Sequence, residues 1–263
     1  MEQNSFIEKY ENILNKVIML HDKIKDINIS LKELHPVAIV KDNDFYVFDV
    51  DEQEKRYRFT LMKESPLQHP IPEDVMAAFQ LEFYDDRFVA IMGDSTLDNP
   101  DNYAFLFHEF VHCYVGSKFE SNIKKNLKID KQEREANNMI WEITYTFPYE
   151  DDNFVCLTQK LNDVTSNGEY IDIVSYHNNM KNNLSEIDFE YMIWTEWKEG
   201  FARYIENLIC ERLGMKMNEN QLCPPFSRVT FYEIGSRYIK FLLNDDKTLC
   251  NDLDKLFYKM MSA

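Results

Sequence analysis

The sequence predicts an α+β fold in which an N-terminal helix and a small antiparallel sheet precede a mostly helical C-terminal half. Two observations support this order. Apolar residues recur at helical spacing from Ser5 to Leu34, which is the pattern of an amphipathic helix. From Val37 to Gly93 the chain carries short runs rich in β-branched and aromatic residues, and after Gly93 helical patterns dominate.

Within the β-rich region, the runs VAIV, FYVFDV and RYRFTLM predict three short strands, with a turn at Asp42-Asn43-Asp44 between the first two. The following segment, AFQLEFYDDRFVAIMG, predicts a hairpin that turns at Asp85-Asp86. The sheet would therefore end just before Gly93.

Helix signals fill the remainder of the chain. Asn99 suits an N-cap, Pro100 the first helical position and Asp101 the positive end of the helix dipole. Phe147 to Asn183 is ambiguous, with a turn expected at Ser166-Asn167-Gly168. Further helices are predicted for Lys131 to Thr146, Ser185 to Leu213, Ser227 to Leu243 and Leu249 to Met260. We expect an N-terminal subdomain over residues 1–98 and a helical subdomain over residues 99–263, working as a single unit.

Composition excludes several classes of function. With 263 residues the chain is long enough to bury a core without disulfide bonds. A formal net charge of −17 argues against a nucleic-acid partner. The five cysteines are irregularly spaced and are expected to be reduced thiols. Because no secretory signal or long apolar segment is visible, we expect a cytoplasmic protein without a membrane partner.

The helix that opens at Asn99 carries the segment FLFHEFVHCY. His108 and His112 are four residues apart, so their imidazoles lie on one helix face and can bind one metal ion. Glu109 can reach a water on that metal and act as its general base, the pattern HExxH of zinc peptidases. The pattern predicts a zinc site, and the alternative is a pair of hydrogen-bonded core histidines.

A third ligand is available in the segment WKEGFARYIE. Glu199 in this helical stretch could complete a His, His, Glu site and leave a fourth position for water. Gly200 follows it directly, although glycine costs a helix about 1 kcal/mol relative to alanine, which suggests a close approach at this point. The alternative is an ordinary amphipathic helix.

These segments resemble the gluzincin metallopeptidases of the aminopeptidase N type. In that family an HExxH helix is followed by W-x-N-E-G-F-A-x-Y, whose glutamate is a zinc ligand, and then by Y-E-K-G, whose tyrosine stabilises the oxyanion. The chain has HEFVH, WKEGFARY and YEIG in the same order. The resemblance implies a zincin-like fold with Zn²⁺ on His108, His112 and Glu199, with Glu109 as the base and Tyr232 as the oxyanion donor.

The chain also departs from that family. Between His112 and Glu199 lie 86 residues, which implies an inserted helical segment. Lys198 replaces the family's asparagine, Ile234 replaces its lysine, and the G-x-M-E-N segment that grips a free amino terminus is absent. The resemblance covers about a third of the chain and does not extend to aminopeptidase specificity.

A second resemblance offers another third ligand. The segment EREAN is similar to the E-x-E-A-N helix of small regulatory metallopeptidases that cleave repressors, which would make Glu133 or Glu135 the ligand. We favour Glu199 because its surroundings match over eight positions and Tyr232 follows. The alternative interpretation of Glu133 and Glu135 is a solvated helix face.

Other residues have weaker functional interpretations. His177 could assist the oxyanion but suits a surface position better, and Arg203 and Arg237 could bind a substrate carboxylate or pair with nearby acids. Glu206 lies two turns beyond Glu199 and could orient a histidine ligand. Cys113 is expected to face the core.

The sequence therefore predicts a zinc-dependent metallopeptidase that cleaves an unidentified peptide or protein substrate. If the strand RFVAIMG lies at the sheet edge, Val89 to Gly93 would bind extended substrate through backbone hydrogen bonds; otherwise it is an internal hairpin strand. The alternatives are a repressor-cleaving protease that uses Glu133 or Glu135, and an inactive zincin-fold interaction protein. The sequence does not predict the oligomeric state.

Overall fold

The computed structural model describes residues 2–66, 70–165, 171–220 and 222–262, and it confirms the α+β class with the predicted order of elements. The strands are β1 (Val37–Lys41), β2 (Asp44–Asp51), β3 (Arg56–Glu64), β4 (Met76–Leu81) and β5 (Arg87–Gly93). The helices are α1 (Glu2–Ile24), α2 (Tyr103–Val115), α3 (Ser121–Lys124), α4 (Lys128–Glu135), α5 (Trp141–Thr144), α6 (Asp152–Thr165), α7 (Ile171–Asn183), α8 (Glu186–Leu213), α9 (Arg228–Asp245) and α10 (Leu253–Met261).

The sheet is mixed, so the prediction of an antiparallel sheet is wrong at one pair of strands. Its order is β3-β2-β1-β5-β4, and β1 runs parallel to β5 while the other neighbours are antiparallel. The two strands of the parallel pair, β1 and β5, carry continuous buried apolar runs at Val37–Val40 and Val89–Met92. Such runs are typical of parallel strands covered on both faces, whereas exposed antiparallel strands alternate.

Strand β5 lies inside the sheet, so the proposal that Val89 to Gly93 form an edge that binds substrate is wrong. Val89 to Gly93 cannot add an extended peptide, because β5 already pairs with β1 on one side and β4 on the other. The edge strand on this side of the sheet is β4, and α2 packs against both β4 and β5.

Both predicted turns are present. Asp42 and Asn43 have φ angles of 50° and 66°, and Asp85 and Asp86 have angles of 52° and 53°. Aspartate and asparagine tolerate this left-handed region better than other non-glycine residues, which explains why the chain reverses at these points.

Two predicted helices are shorter than expected. The first ends at Ile24 rather than Leu34, and the Asn28 side chain accepts a hydrogen bond of 2.9 Å from the Ser30 backbone, which starts a separate short turn. The helix predicted for Lys131 to Thr146 is divided into α4 and α5. Asn137, between them, has a φ angle of 59°, which interrupts helical geometry.

The remaining helices follow the sequence more closely. Helices α8 and α9 match their predictions within two residues, and α10 begins at Leu253, four residues later than predicted. The described part of the ambiguous stretch forms α6 and α7. The turn expected at Ser166-Asn167-Gly168 lies outside the described residues.

The chain divides into two compact units. One comprises Met1–Lys118 and Ile205–Met217 and contains α1, the sheet and α2; the other comprises Phe119–Tyr204 and Asn218–Ala263 and is helical. Helix α8 is continuous through residues 204 and 205, so its first part belongs to the helical unit and its last part to the sheet-containing unit.

Helices α8 and α9 approach each other closely at two glycines. A Cβ atom on Gly200 would lie 2.6 Å from the Gly235 carbonyl carbon, and one on Gly235 would lie 2.3 Å from the Glu196 carbonyl oxygen. Glycine is therefore required at both positions for steric reasons. The close approach suggested by the sequence at Gly200 is confirmed, and its contact is the glycine of the YEIG segment.

We expect Gly200→Ala to lower the free energy of unfolding by about 1–3 kcal/mol, because the added methyl group meets backbone atoms that cannot rotate away. A glycine in an open helical position would instead gain about 1 kcal/mol from this substitution. Thermal and denaturant unfolding would measure the change, with Lys240→Ala on the exposed face of α9 as the control. Increased stability of the Gly200 variant would contradict the packing argument.

Candidate metal centre

The predicted cap at Asn99 is present, but it opens a short turn, and α2, which buries the HExxH segment, begins at Tyr103. The Asn99 side chain accepts a hydrogen bond of 3.1 Å from the Asp101 backbone, and a short turn over Pro100–Asn102 leads into the helix. His108, Glu109 and His112 are each only 6% exposed. Burying a polar side chain lowers the stability of the fold unless the side chain has hydrogen-bond partners or binds a metal ion. The groups around these three residues therefore indicate what they do.

Glu206 on α8 fixes the hydrogen-bonding state of His108. The distance between His108 Nδ1 and Glu206 Oε2 is 2.8 Å, and Glu206 is buried. A carboxylate oxygen accepts, so Nδ1–H donates and Nε2 is the ring atom left to bind a metal ion. This is the arrangement in which outer carboxylates orient histidine ligands, and the contact predicted for Glu206 is present.

The Nε2 atom of His108 lies 3.0 Å from Nε2 of His112. Two imidazole nitrogens bound to one tetrahedral zinc ion at 2.0–2.1 Å would be separated by about 3.3 Å. The pair of rings therefore has close to the spacing that a shared ion requires. The edge-to-face arrangement of the rings, at 68°, brings their nitrogens together without stacking their faces.

Glu199 joins the two histidines. One ligand atom from each of His108, His112 and Glu199 lies within 4.8 Å of the others, and all three residues are buried. Two imidazoles and a carboxylate are donors that divalent transition metals bind, so the residues fit a metal ion. In the part of the chain that the structure describes, this is the one group of its kind, and it contains neither Glu133 nor Glu135.

Arg228 at the start of α9 holds Glu199. Its Nη2 donates to Glu199 Oε1 at 2.8 Å, its Nε donates to the Glu142 backbone oxygen at 3.0 Å, and its Nη1 donates to the Tyr232 hydroxyl. Although burial opposes its charge, the Glu199 carboxylate raises the pKa of Arg228 above its usual value. One guanidinium thus positions both the candidate ligand and the candidate oxyanion donor.

Glu142 anchors the same assembly from α5. Its carboxylate accepts from Lys198 at 2.9 Å, from Trp194 Nε1 at 3.1 Å and from Lys124. Burial alone would raise the pKa of Glu142, but the charges of Lys198 and Lys124 hold it well below its usual value. Helix α5 is therefore held in place by partly buried ion pairs, and Lys198 has a structural role.

Tyr232 lies on α9 near two guanidinium groups. Arg228 and Arg203 stand 5.2 and 5.8 Å from the centre of its ring, and its hydroxyl accepts from Arg228. A phenol that accepts from a cation keeps its own proton for donation. This geometry suits a hydrogen-bond donor to a developing negative charge.

The other residues singled out by the sequence have different surroundings. Arg237 pairs with Glu233 at 2.7 Å, and Arg203 donates to the Asn218 backbone oxygen at 3.1 Å. The surface position expected for His177 is wrong, because it is fully buried between the Ile173 carbonyl oxygen and Glu196, each 2.7 Å away.

Cys113 is buried as predicted. In the other candidate ligand helix, Glu133 accepts from the Asn138 side chain at 2.9 Å, and Glu135 is exposed.

Sequence reasoning missed Arg228 and Glu142. Arg228 stands four residues before Tyr232 on the same helix, a spacing that places the two side chains on one face and could have indicated a contact. Glu142 had no such signal, because its partners come from helices distant in the sequence.

Comparisons of the chain with models of protein families, with curated proteins and with solved structures found no significant match. The likeness to gluzincins therefore rests on the segments around His108, Glu199 and Tyr232. Among the described helices, none combines the length and the apolar composition needed to cross a membrane.

We expect Glu206→Gln to weaken zinc binding by about tenfold or more, because the amide loses the charge that supports His108 as a donor ligand. Competition with a chromophoric chelator would measure the dissociation constant. Glu211→Gln, an exposed substitution on the same helix, is the matched control. Equal affinity in both variants would show that Glu206 does not support the metal site.

Proposed function

We propose that this protein is a zinc-dependent metallopeptidase of the gluzincin type, with His108, His112 and Glu199 as the metal ligands. The observation that carries the proposal is the convergence of these three buried residues, whose ligand atoms lie within 4.8 Å of one another. Two histidines and a glutamate form the ligand set of catalytic zinc in several peptidases, and it leaves a position open.

When bound, zinc supplies a Lewis acid that makes water nucleophilic near neutral pH. Glu109, the buried carboxylate beside His108, takes a proton from the attacking water and delivers it to the leaving amine. Tyr232 donates a hydrogen bond to the oxygen on which negative charge develops. Glu206 keeps His108 in the tautomer that presents Nε2, and Arg228 keeps Glu199 and Tyr232 in place.

The substrate is a peptide or an unfolded segment of a protein, and the site of action is the cytoplasm. The net charge of −17 disfavours polyanions and favours peptides that carry lysine or arginine. All five cysteines are free, as expected in a reducing compartment. The edge strand β4 is the position where an extended backbone could add to the sheet.

We expect Glu109→Gln to retain zinc and to reduce peptide cleavage by about 10²- to 10⁴-fold, because the amide cannot accept the proton. Metal content by mass spectrometry and cleavage of a broad peptide library would be measured on the wild type and the variant together. Circular dichroism would establish that both are folded.

Cleavage at equal rates in the two proteins would refute the role of Glu109. A wild-type protein that binds zinc but cleaves nothing in the library would instead support a zincin-fold interaction protein without activity.

A further inference from the structure

The described residues expose nine large apolar side chains, and four of them lie within three residues in sequence of Arg228 or Glu142, which are joined by a hydrogen bond. Met139, Ile140 and Ile143 are 67%, 61% and 72% exposed, and Val229 is 45% exposed. Ile143 directly follows Glu142, and Val229 directly follows Arg228. We call these four residues the apolar rim. Exposed apolar side chains that occur together mark binding surfaces more often than isolated ones do.

The residues next to the apolar rim, Glu142 and Arg228, stand close to the candidate ligand Glu199. The Arg228 guanidinium contacts the Glu142 carbonyl oxygen at 3.0 Å and the Glu199 carboxylate at 2.8 Å. Since a guanidinium spans about 2.3 Å between Nε and Nη2, the Glu142 oxygen lies within about 8 Å of that carboxylate. A side chain next to a cleaved peptide bond can cover this distance.

The backbone beside the rim is held by several polar contacts, although α5 has only four residues. Glu142 is fixed by Lys198, Lys124 and Trp194 on the inner side of the helix. The Ile143 backbone N–H donates to the Ile140 carbonyl oxygen at 3.0 Å, so these two apolar side chains are one turn apart on a fixed scaffold. A surface held this firmly is prepared for contact before a ligand arrives.

We propose that the apolar rim binds a large aliphatic or aromatic side chain of a basic peptide substrate, next to the bond that is cleaved. The charge of the protein argues for the basic flanks of that peptide. The net charge is −17, and the exposed acids Glu135, Glu150 and Asp151 lie along the same stretch of chain as the rim. This inference rests on the proposed peptidase function and assigns its substrate class.

The test uses the zinc-loaded Glu109→Gln variant of this chain, so that binding is separated from cleavage. Two fluorescent peptides serve as probes, Lys-Arg-Ala-Phe-Leu-Ala-Lys and a matched peptide in which serines replace Phe and Leu. Anisotropy titrations would compare three proteins, namely the parent variant and the same protein with Ile143→Ser or Met19→Ser. Met19 is 66% exposed on α1 and controls for the loss of any exposed apolar group.

We expect the parent to bind the apolar peptide at least tenfold more tightly than the serine peptide, and Ile143→Ser to remove most of that preference. Met19→Ser should leave the preference unchanged. Equal affinity for the two peptides, no binding of either, or the same loss in the Met19 variant would overturn the proposal. Concentration-dependent dimerisation that Ile143→Ser abolishes would overturn it as well, because the rim would then be covered by a second copy.

The outcomes also separate this inference from the proposed function. If the wild-type protein binds the apolar peptide but does not cleave it, the binding role of the rim would be supported and the proposed peptidase activity would be refuted. If the protein cleaves both peptides without an apolar preference, the proposed peptidase activity would be supported and the binding role of the rim would be refuted.

Discussion

The hydrogen bond between His108 and Glu206 is the interaction on which the rest of the site depends. Glu206 and Glu199 are seven residues apart on one continuous helix, which amounts to two turns and returns their side chains to the same face. Once Glu206 holds the Nδ1 atom of His108 at 2.8 Å, the helix period fixes the direction in which Glu199 extends. The same helix thereby carries both a candidate ligand and the residue that orients His108.

A second constraint connects α8 to α9. The paired glycines, Gly200 and Gly235, bring the two backbones into contact and place the start of α9 beside the candidate ligand. Arg228 then bridges Glu199, Tyr232 and the Glu142 backbone with the three kinds of N–H group on its guanidinium. The glycines of the WKEGFARY and YEIG segments therefore form the contact between the two helices.

The sequence predicted the parts of the fold that depend on local patterns. Strands rich in β-branched and aromatic residues, turns at Asp42-Asn43 and Asp85-Asp86, and the capped turn before α2 follow from neighbouring residues. The parallel pairing of β1 with β5 was missed, because strand partners are chosen by long-range packing that an apolar run does not encode. The break at Asn137 was missed because one left-handed residue is invisible in a helical pattern.

The candidate site was predictable to a similar extent. His108, His112 and Glu199 could be found because their spacing and flanking residues carry chemistry, and the structure brings them together. Arg228 and Glu142 could not be ranked above other charged residues, since in an acidic chain an arginine has many possible partners. His177 was misplaced at the surface because its buried partner, Glu196, comes from another helix.

The zinc dissociation constant of Glu199→Gln, measured against wild type and Glu135→Gln by chelator competition, tests the central claim most directly. If Glu199 completes the site, its variant should bind zinc at least tenfold more weakly, while Glu135→Gln should match the wild type. Wild-type affinity in the Glu199 variant, with loss in the Glu135 variant, would contradict the account and move the third ligand to the other helix.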